Sequence, residues 1–238
     1  MQNLGETSGR VLLHLYESGT GLTEAELELR AGAPVAAELT ALITDGIVQS
    51  ARERYFLTDA DEGSLGIWAE GELSRLSRSG VLYFAYGSNM DPWQVYRGPA
   101  PVCASARFLC RAALPGYRVT FPRQFPLWVG CVAGVVPAPG ESVWGVLYAV
   151  DDAGWAALDR FERVPDDYSR VAVTVSVPLR GSPAPLELAA QTYVHVPDGS
   201  EGGLPAASYM ERIRRGARAF ALPPRYLAWL DGVETIRD

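Results

Sequence analysis

The sequence predicts an α+β fold: a small, mostly antiparallel β-barrel or curved sheet with flanking helices, preceded by a compact unit of helices and a hairpin. Three observations carry this. From Val81 onward, short β-branched and aromatic stretches alternate with turns rich in Pro and Gly, the mark of many antiparallel strands. Residues 10–58 instead carry apolar side chains at helical spacing. Charge divides the chain at the same place: residues 1–75 hold 5 arginines against 13 acidic residues, a net of −8, while the remainder holds 16 against 15, a net of +1. Such a break predicts one unit at 1–75 and a second at 79–238.

Taken in order, Val11-Leu12-Leu13-His14-Leu15-Tyr16 reads as a helix that stops at Gly19, with His14 in its apolar stripe as a packing residue. Thr23-Glu24-Ala25-Glu26 is a capping box opening a second helix that stops at Gly32. Val35, Leu39, Leu42 and Ile43 mark a third helix over 34–45, and two strands around a charged tip at Arg52-Glu53-Arg54 complete the unit. This pattern resembles a winged helix-turn-helix domain. DNA is nonetheless an unfavourable partner, because the helix that would read it carries no basic residue and phosphate contacts need Lys or Arg. A protein contact, a homodimer interface or a lid over the second unit fits the acidic surface better. Residues 59–78 read as a connecting helix or linker.

The second unit then offers strands at 107–114, 117–121, 129–136, 143–150, 171–178 and 186–196, separated by Pro-Gly, Pro-Ala-Pro-Gly and Arg-Gly-Ser-Pro turns. Helices are expected at 152–161 and from Ser208, where Ser208-Tyr209-Met210-Glu211 reads as another capping box.

Composition removes whole classes of chemistry. All 21 basic residues are arginine, which excludes a Schiff-base lysine and a Walker phosphate loop. Two histidines, His14 and His195, give poor support for a metal centre or a Ser-His-Asp triad. The cysteines Cys103, Cys110 and Cys131 have neither zinc spacing nor an even number, and read as small buried apolar residues. No metal and no cofactor is expected. No run reaches the roughly 18 apolar residues of a membrane helix and the N-terminus has no secretory pattern, so the expectation is a cytoplasmic protein away from membranes. Any enzyme here relies on a carboxylate for proton transfer.

Val81-Leu82-Tyr83-Phe84-Ala85-Tyr86-Gly87-Ser88-Asn89-Met90 is a buried strand delivering a polar loop, whose backbone N–H groups can bind an anion or oxyanion. Alone, an ordinary strand-to-loop turn explains it equally well. Glu162 is the anomalous carboxylate: Trp155, Leu158 and Glu162 share one helical face, so burial and the helix C-terminus both favour its neutral form. The alternative is a surface glutamate paired to Arg163 or Arg170. Tyr168, Tyr193 and Tyr209 fall among apolar residues, where a tyrosine serves either the core or a site.

Together, Tyr86-Gly87-Ser88-Asn89-Met90 after a strand, Val143-Trp144-Gly145-Val146-Leu147-Tyr148, Leu158-Asp159-Arg160-Phe161-Glu162 with Tyr168 following, Thr192-Tyr193-Val194, and Tyr209 ahead of Gly216-Ala217-Arg218 and Leu222-Pro223 resemble γ-glutamylcyclotransferase-like (AIG2-like) proteins over residues 81–230. The resemblance implies a small barrel with flanking helices and a cofactor-free reaction on a small γ-glutamyl compound, releasing 5-oxoproline and a free amine or amino acid. It implies Glu162 as the proton shuttle. The N–H groups of Gly87, Ser88, Asn89 and Met90 would hold the substrate carboxylate or the oxyanion; Tyr168, Tyr193 and Tyr209, with Tyr86 beside them, would shape the pocket and donate hydrogen bonds. The family commonly has glycine after the glutamate. Here Arg163 stands there and could narrow the pocket, pair with Glu162 or select an acidic leaving group. Residues 121–128, with Arg123, either line the entrance or form a packed loop. Two other readings stay open: a non-catalytic sensor or scaffold whose barrel signals to the N-terminal unit, and hydrolysis or aminotransfer of another amide.

Overall fold

A computed structural model of the chain describes residues 6–18, 21–58, 62–124, 129–197, 199 and 202–237. The helix stop at Gly19 and residues 125–128 of the aromatic segment lie outside the described residues. The N-terminal elements follow the expected order: α1 (Glu6–Ser18), α2 (Glu24–Ala31), α3 (Ala36–Thr44), then the antiparallel pair β1 (Val48–Ala51) and β2 (Arg54–Leu57). The capping box on α2 forms as read, with Glu26 N–H donating to Thr23 Oγ1 at 3.2 Å and Thr23 N–H to Glu26 Oε2 at 2.8 Å. Gly32 ends α2 in the left-handed conformation, and its N–H donates to Glu28 O. The stretch read as a connecting helix or linker contains a 17-residue helix, α4 (Glu62–Arg78), tied to the barrel where Ser77 Oγ donates to Ala189 O at 2.8 Å.

Five strands then close a barrel: β3 (Leu82–Ala85), β4 (Arg107–Gln124), β5 (Cys131–Ala149), β6 (Tyr168–Val177) and β7 (Leu186–His195), in the order β3-β5-β4-β6-β7. All pairings are antiparallel except β3 with β7, which meet in parallel at Tyr83 and Gln191 and shut the barrel. The architecture is the α+β barrel the sequence predicts, but the strands are fewer and longer. Residues 107–114 and 117–121 are one strand, as are 131–136 and 143–149. The Pro-Gly punctuation does not end these strands. The register shift between Pro115 and Tyr117, where the partner residue changes from Ser142 to Pro137, absorbs both as a bulge, which bends a strand without detaching it from its partner.

Helices α5 (Asp152–Phe161), α6 (Ala207–Ala219) and α7 (Pro224–Asp231) complete the fold. The capping box read at Ser208 is corrected: α6 begins one residue earlier, Ala206 is its N-cap, and no side chain caps it. The C-terminal tail supplies an acceptor instead, Ala207 N–H donating to Ile236 O at 3.0 Å. Among the described residues, no helix is long and apolar enough to cross a membrane.

The helices before the barrel share its hydrophobic core. Phe108 of β4 is stacked by His14 of α1 at 5.2 Å and by Phe220, just after α6, at 4.0 Å. The guanidinium of Arg30 sits 5.9 Å from the same ring. Beside it Glu17 takes two arginines, Arg30 at 3.2 Å and Arg111 of β4 at 3.1 Å, with both Glu17 and Arg30 buried. Burial pushes the Glu17 carboxyl up, and the two arginines oppose that. All three cysteines are buried and free, as expected.

Removing one member of a buried ion pair leaves the other uncompensated. Glu17→Ala is therefore expected to cost about 3 kcal/mol of stability, read as a lower denaturant midpoint, and an unchanged midpoint would remove this cluster as a link between helices and barrel.

Candidate active site

The strand β3 is buried at every position and ends at Ala85. Beyond it Ser88–Met90 make a single 3-10 turn, in which Met90 N–H donates to Gly87 O and Asp91 N–H to Ser88 O, both at 3.0 Å. Helix α6 clamps this turn in two ways. A Cβ on Gly216 would stand 2.4 Å from the Met90 carbonyl, so glycine is what lets the helix come so close. Next to it the fully buried Asp91 accepts from Arg215 through both carboxylate oxygens, and from Trp93 N–H at 3.1 Å.

Glu162 arrives from α5. Asp151 caps this helix by accepting from Gly154 N–H at 2.7 Å, and Trp155 and Leu158 bury its inner face. Glu162 is the C-cap residue, and its carboxylate faces a pocket lined also by Tyr86, Gly87, Ser88, Asn89, Tyr168, Tyr193 and Tyr209. Eight of the nine residues singled out in the sequence thus converge. Met90 does not: it is fully buried below the pocket, with its N–H taken up by Gly87 O. Tyr83, Val132, Ala133 and Phe161 complete the lining and were not anticipated. Of these, Tyr83 carried a signal, being a tyrosine on the strand that delivers the loop.

The carboxylate has a specific donor. Asn89 Nδ2 lies 2.7 Å from Glu162 Oε1 and 2.9 Å from the Tyr83 hydroxyl. Enclosure raises the Glu162 pKa from 4.5 to about 7, and the Asn89 hydrogen bond opposes that rise. Neither arginine considered as a surface partner reaches it. Arg163 pairs with the buried Asp167 at 3.3 Å, and Arg170 pairs with Asp159 at 3.6 Å while lying over the Trp155 ring at 4.8 Å. Arg123 is also bound to Asp167, at 2.7 Å. Arg163 has φ 54°, the left-handed region where glycine is the easiest residue, so this position is shaped by backbone rather than by the pocket.

The tyrosine hydroxyls are oriented by protein partners. Tyr86 donates to Tyr193 O at 2.7 Å, Tyr168 to Ala133 O at 2.8 Å, and Tyr193 to Asp159 Oδ1 at 2.7 Å. Their protons point into the wall, which leaves oxygen lone pairs toward the cavity. Tyr209, in the first turn of α6, instead accepts from Ala133 N–H at 2.9 Å, and burial pushes its pKa up to about 12. All four stay neutral near pH 7. An enclosed carboxyl group that titrates near neutrality among neutral hydroxyls can accept a proton and return it.

The family model described as "Gamma-glutamyl cyclotransferase, AIG2-like" matches residues 83–211, more than half the chain. The Gamma-glutamylcyclotransferase of Mus musculus is 29% identical over 158 residues, 64% of this chain and 78% of that protein. That of Bos taurus is 30% identical over 159 residues, with the same coverage. A solved structure named Gamma-glutamyl cyclotransferase superposes with a TM-score of 0.57 at 27% identity, covering 65% of this chain and 88% of that one. With its barrel, its loop after β3 and Glu162 at the end of α5 inside the matched region, the chain belongs to the gamma-glutamyl cyclotransferase, AIG2-like family of cyclotransferase-type enzymes.

Proposed function

We propose that the chain is a cytoplasmic γ-glutamyl cyclotransferase acting on a small γ-glutamyl amide, amine or amino acid. The observation that carries this reading is Glu162, enclosed with the Asn89 carboxamide as donor and titrating at about 7. The free α-amine of the substrate attacks its own γ-carbonyl carbon, forming the C–N bond of a five-membered ring. Glu162 takes a proton from the attacking nitrogen and returns it to the leaving nitrogen as the original amide bond breaks. The products are 5-oxoproline and a free amine or amino acid. Backbone N–H groups of the turn at Gly87, Ser88 and Asn89 hold the substrate carboxylate or the oxyanion. The lone pairs of Tyr86, Tyr168 and Tyr193 suit the substrate amine, and the pocket walls fold the substrate into attack geometry.

The N-terminal helices and hairpin serve in this reading as a brace and protein-contact unit, not as a DNA reader. Their acidic surface and their packing against β4 support that role.

Mass spectrometry on a γ-glutamyl panel is expected to show 5-oxoproline, and a panel without that product would sink the proposal. Glu162→Gln should lower kcat/KM by about 10³-fold or more, whereas Ser88→Ala costs about tenfold, because its hydroxyl is bound within the wall to Gln94 at 3.0 Å. In the unsubstituted chain kcat/KM should fall below about pH 7 as Glu162 gains its proton.

Stability carries the opposite sign. The folded chain holds the Glu162 proton more tightly than the unfolded chain, so the cost of burial is absent below 4.5 and complete above about 7. Glu162→Gln is expected to stabilise the fold by about 2 kcal/mol at about pH 8, after allowance for its partial exposure, and to leave it unchanged at about pH 4. Equal melting temperatures of the two proteins at alkaline pH would contradict the enclosure argument.

A further inference from the structure

We propose that Gln94 is a positioning residue for Glu162, holding the Asn89 carboxamide in the one orientation that turns its NH2 toward the carboxylate. The inference rests on Glu162 being the proton shuttle. Gln94 lies on a π-helical turn, Trp93–Arg97, that follows the clamped Asp91. Both ends of the turn are fixed: Val95 N–H donates to Asp91 O at 3.0 Å and Gly98 N–H to Trp93 O at 2.8 Å. Helix α2 braces it from outside. Tyr96 Oη donates to Leu29 O at 2.8 Å, and Arg97 Nη1 to Glu28 O at 3.3 Å.

From this turn Gln94 Nε2 donates to Asn89 Oδ1 at 2.8 Å and to Ser88 Oγ at 3.0 Å, while its Oε1 accepts from Arg212 Nη1 at 3.3 Å. These directions interlock. A guanidinium has donors only, so Arg212 makes Gln94 present its oxygen to α6 and its NH2 inward. The inward NH2 needs an acceptor, so Asn89 turns Oδ1 toward Gln94. Its own NH2 then faces Tyr83 and Glu162. A carboxamide is nearly symmetric in shape, and without Gln94 its far end has no donor to hold Oδ1, so the Glu162 carboxylate must orient its own partner unaided. Arg212 fixes the sense of the chain, and Gln94 transmits it.

Gln94→Met tests this, since methionine matches the length, carries no charge and has no amide donor. The Glu162 carboxylate is followed by 13C NMR in the ligand-free chain across pH. Its midpoint should move up from about 7 by about half a pH unit or more, and the Asn89 side-chain amide protons should lose their protection from exchange. For 5-oxoproline release, kcat/KM should drop about threefold at about pH 6 and recover toward the parent at about pH 8.

A side chain that merely packs would give the same loss at both pH values and leave the midpoint in place, and that result overturns the proposal. Gln94→Asn, one methylene too short to reach Asn89, should move the midpoint in the same direction and decides the matter where the methionine variant fails to fold. A chain that releases no 5-oxoproline at any pH, yet shows the shifted titration, refutes the proposed reaction and leaves the role of Gln94 standing.

Discussion

A single hydrogen bond, from the Asn89 carboxamide to the Glu162 carboxylate, is what the surrounding structure is arranged to hold. Its two ends come from distant parts of the chain, one on the turn after β3 and the other at the end of α5. Neither could be placed to within hydrogen-bonding distance by a flexible loop. Helix α6 presses Gly216 onto the backbone of the turn and grips Asp91 through Arg215, while buried Trp155 and Leu158 seat α5. The barrel supplies rigidity and the helices supply registration.

Electrostatics follow from that enclosure. A carboxylate in water would ionise well below neutrality and make a weak base. Moving it among tyrosines raises its proton affinity, and one donor from Asn89 keeps the rise moderate. Among the described residues the pocket lining holds no other charged group, and the arginines Arg123, Arg163 and Arg170 are engaged with Asp159 and Asp167. Arg163 shows how this separation is maintained. With its backbone left-handed, the side chain pairs with Asp167, so this large cation next to Glu162 in the chain is not its ion-pair partner.

Much of this was legible in the sequence, for physical reasons that differ by element. The Thr23 capping box and the face shared by Trp155, Leu158 and Glu162 are local patterns, and local patterns survive folding. The strands on either side of Pro115-Gly116 were misjudged because a bulge can absorb residues that usually end a strand, and only the partner strand decides which occurs. Ser208 looked like a cap, but the acceptor for Ala207 N–H comes from Ile236, some thirty residues away and invisible to any local rule. Met90 shared a motif with true pocket residues and was pulled under the turn by its 3-10 geometry. Gln94 gave no signal, since its reach to Asn89 depends on a π-helical turn that no spacing rule anticipates.

The brace from α2 to the π-helical turn bears on how this chain can be cut and recombined. The segment matched by the family model looks like a transplantable cassette, yet excising residues 83–211 would strip Phe108 of both its stacking partners, His14 and Phe220, and take the carboxylate of Glu17 from Arg111. It would also leave the Tyr96 hydroxyl without Leu29 O. The added helices are therefore not cargo appended to a finished barrel. They have become part of its wall, and a graft that respects the family boundary would cut through the molecule's own masonry.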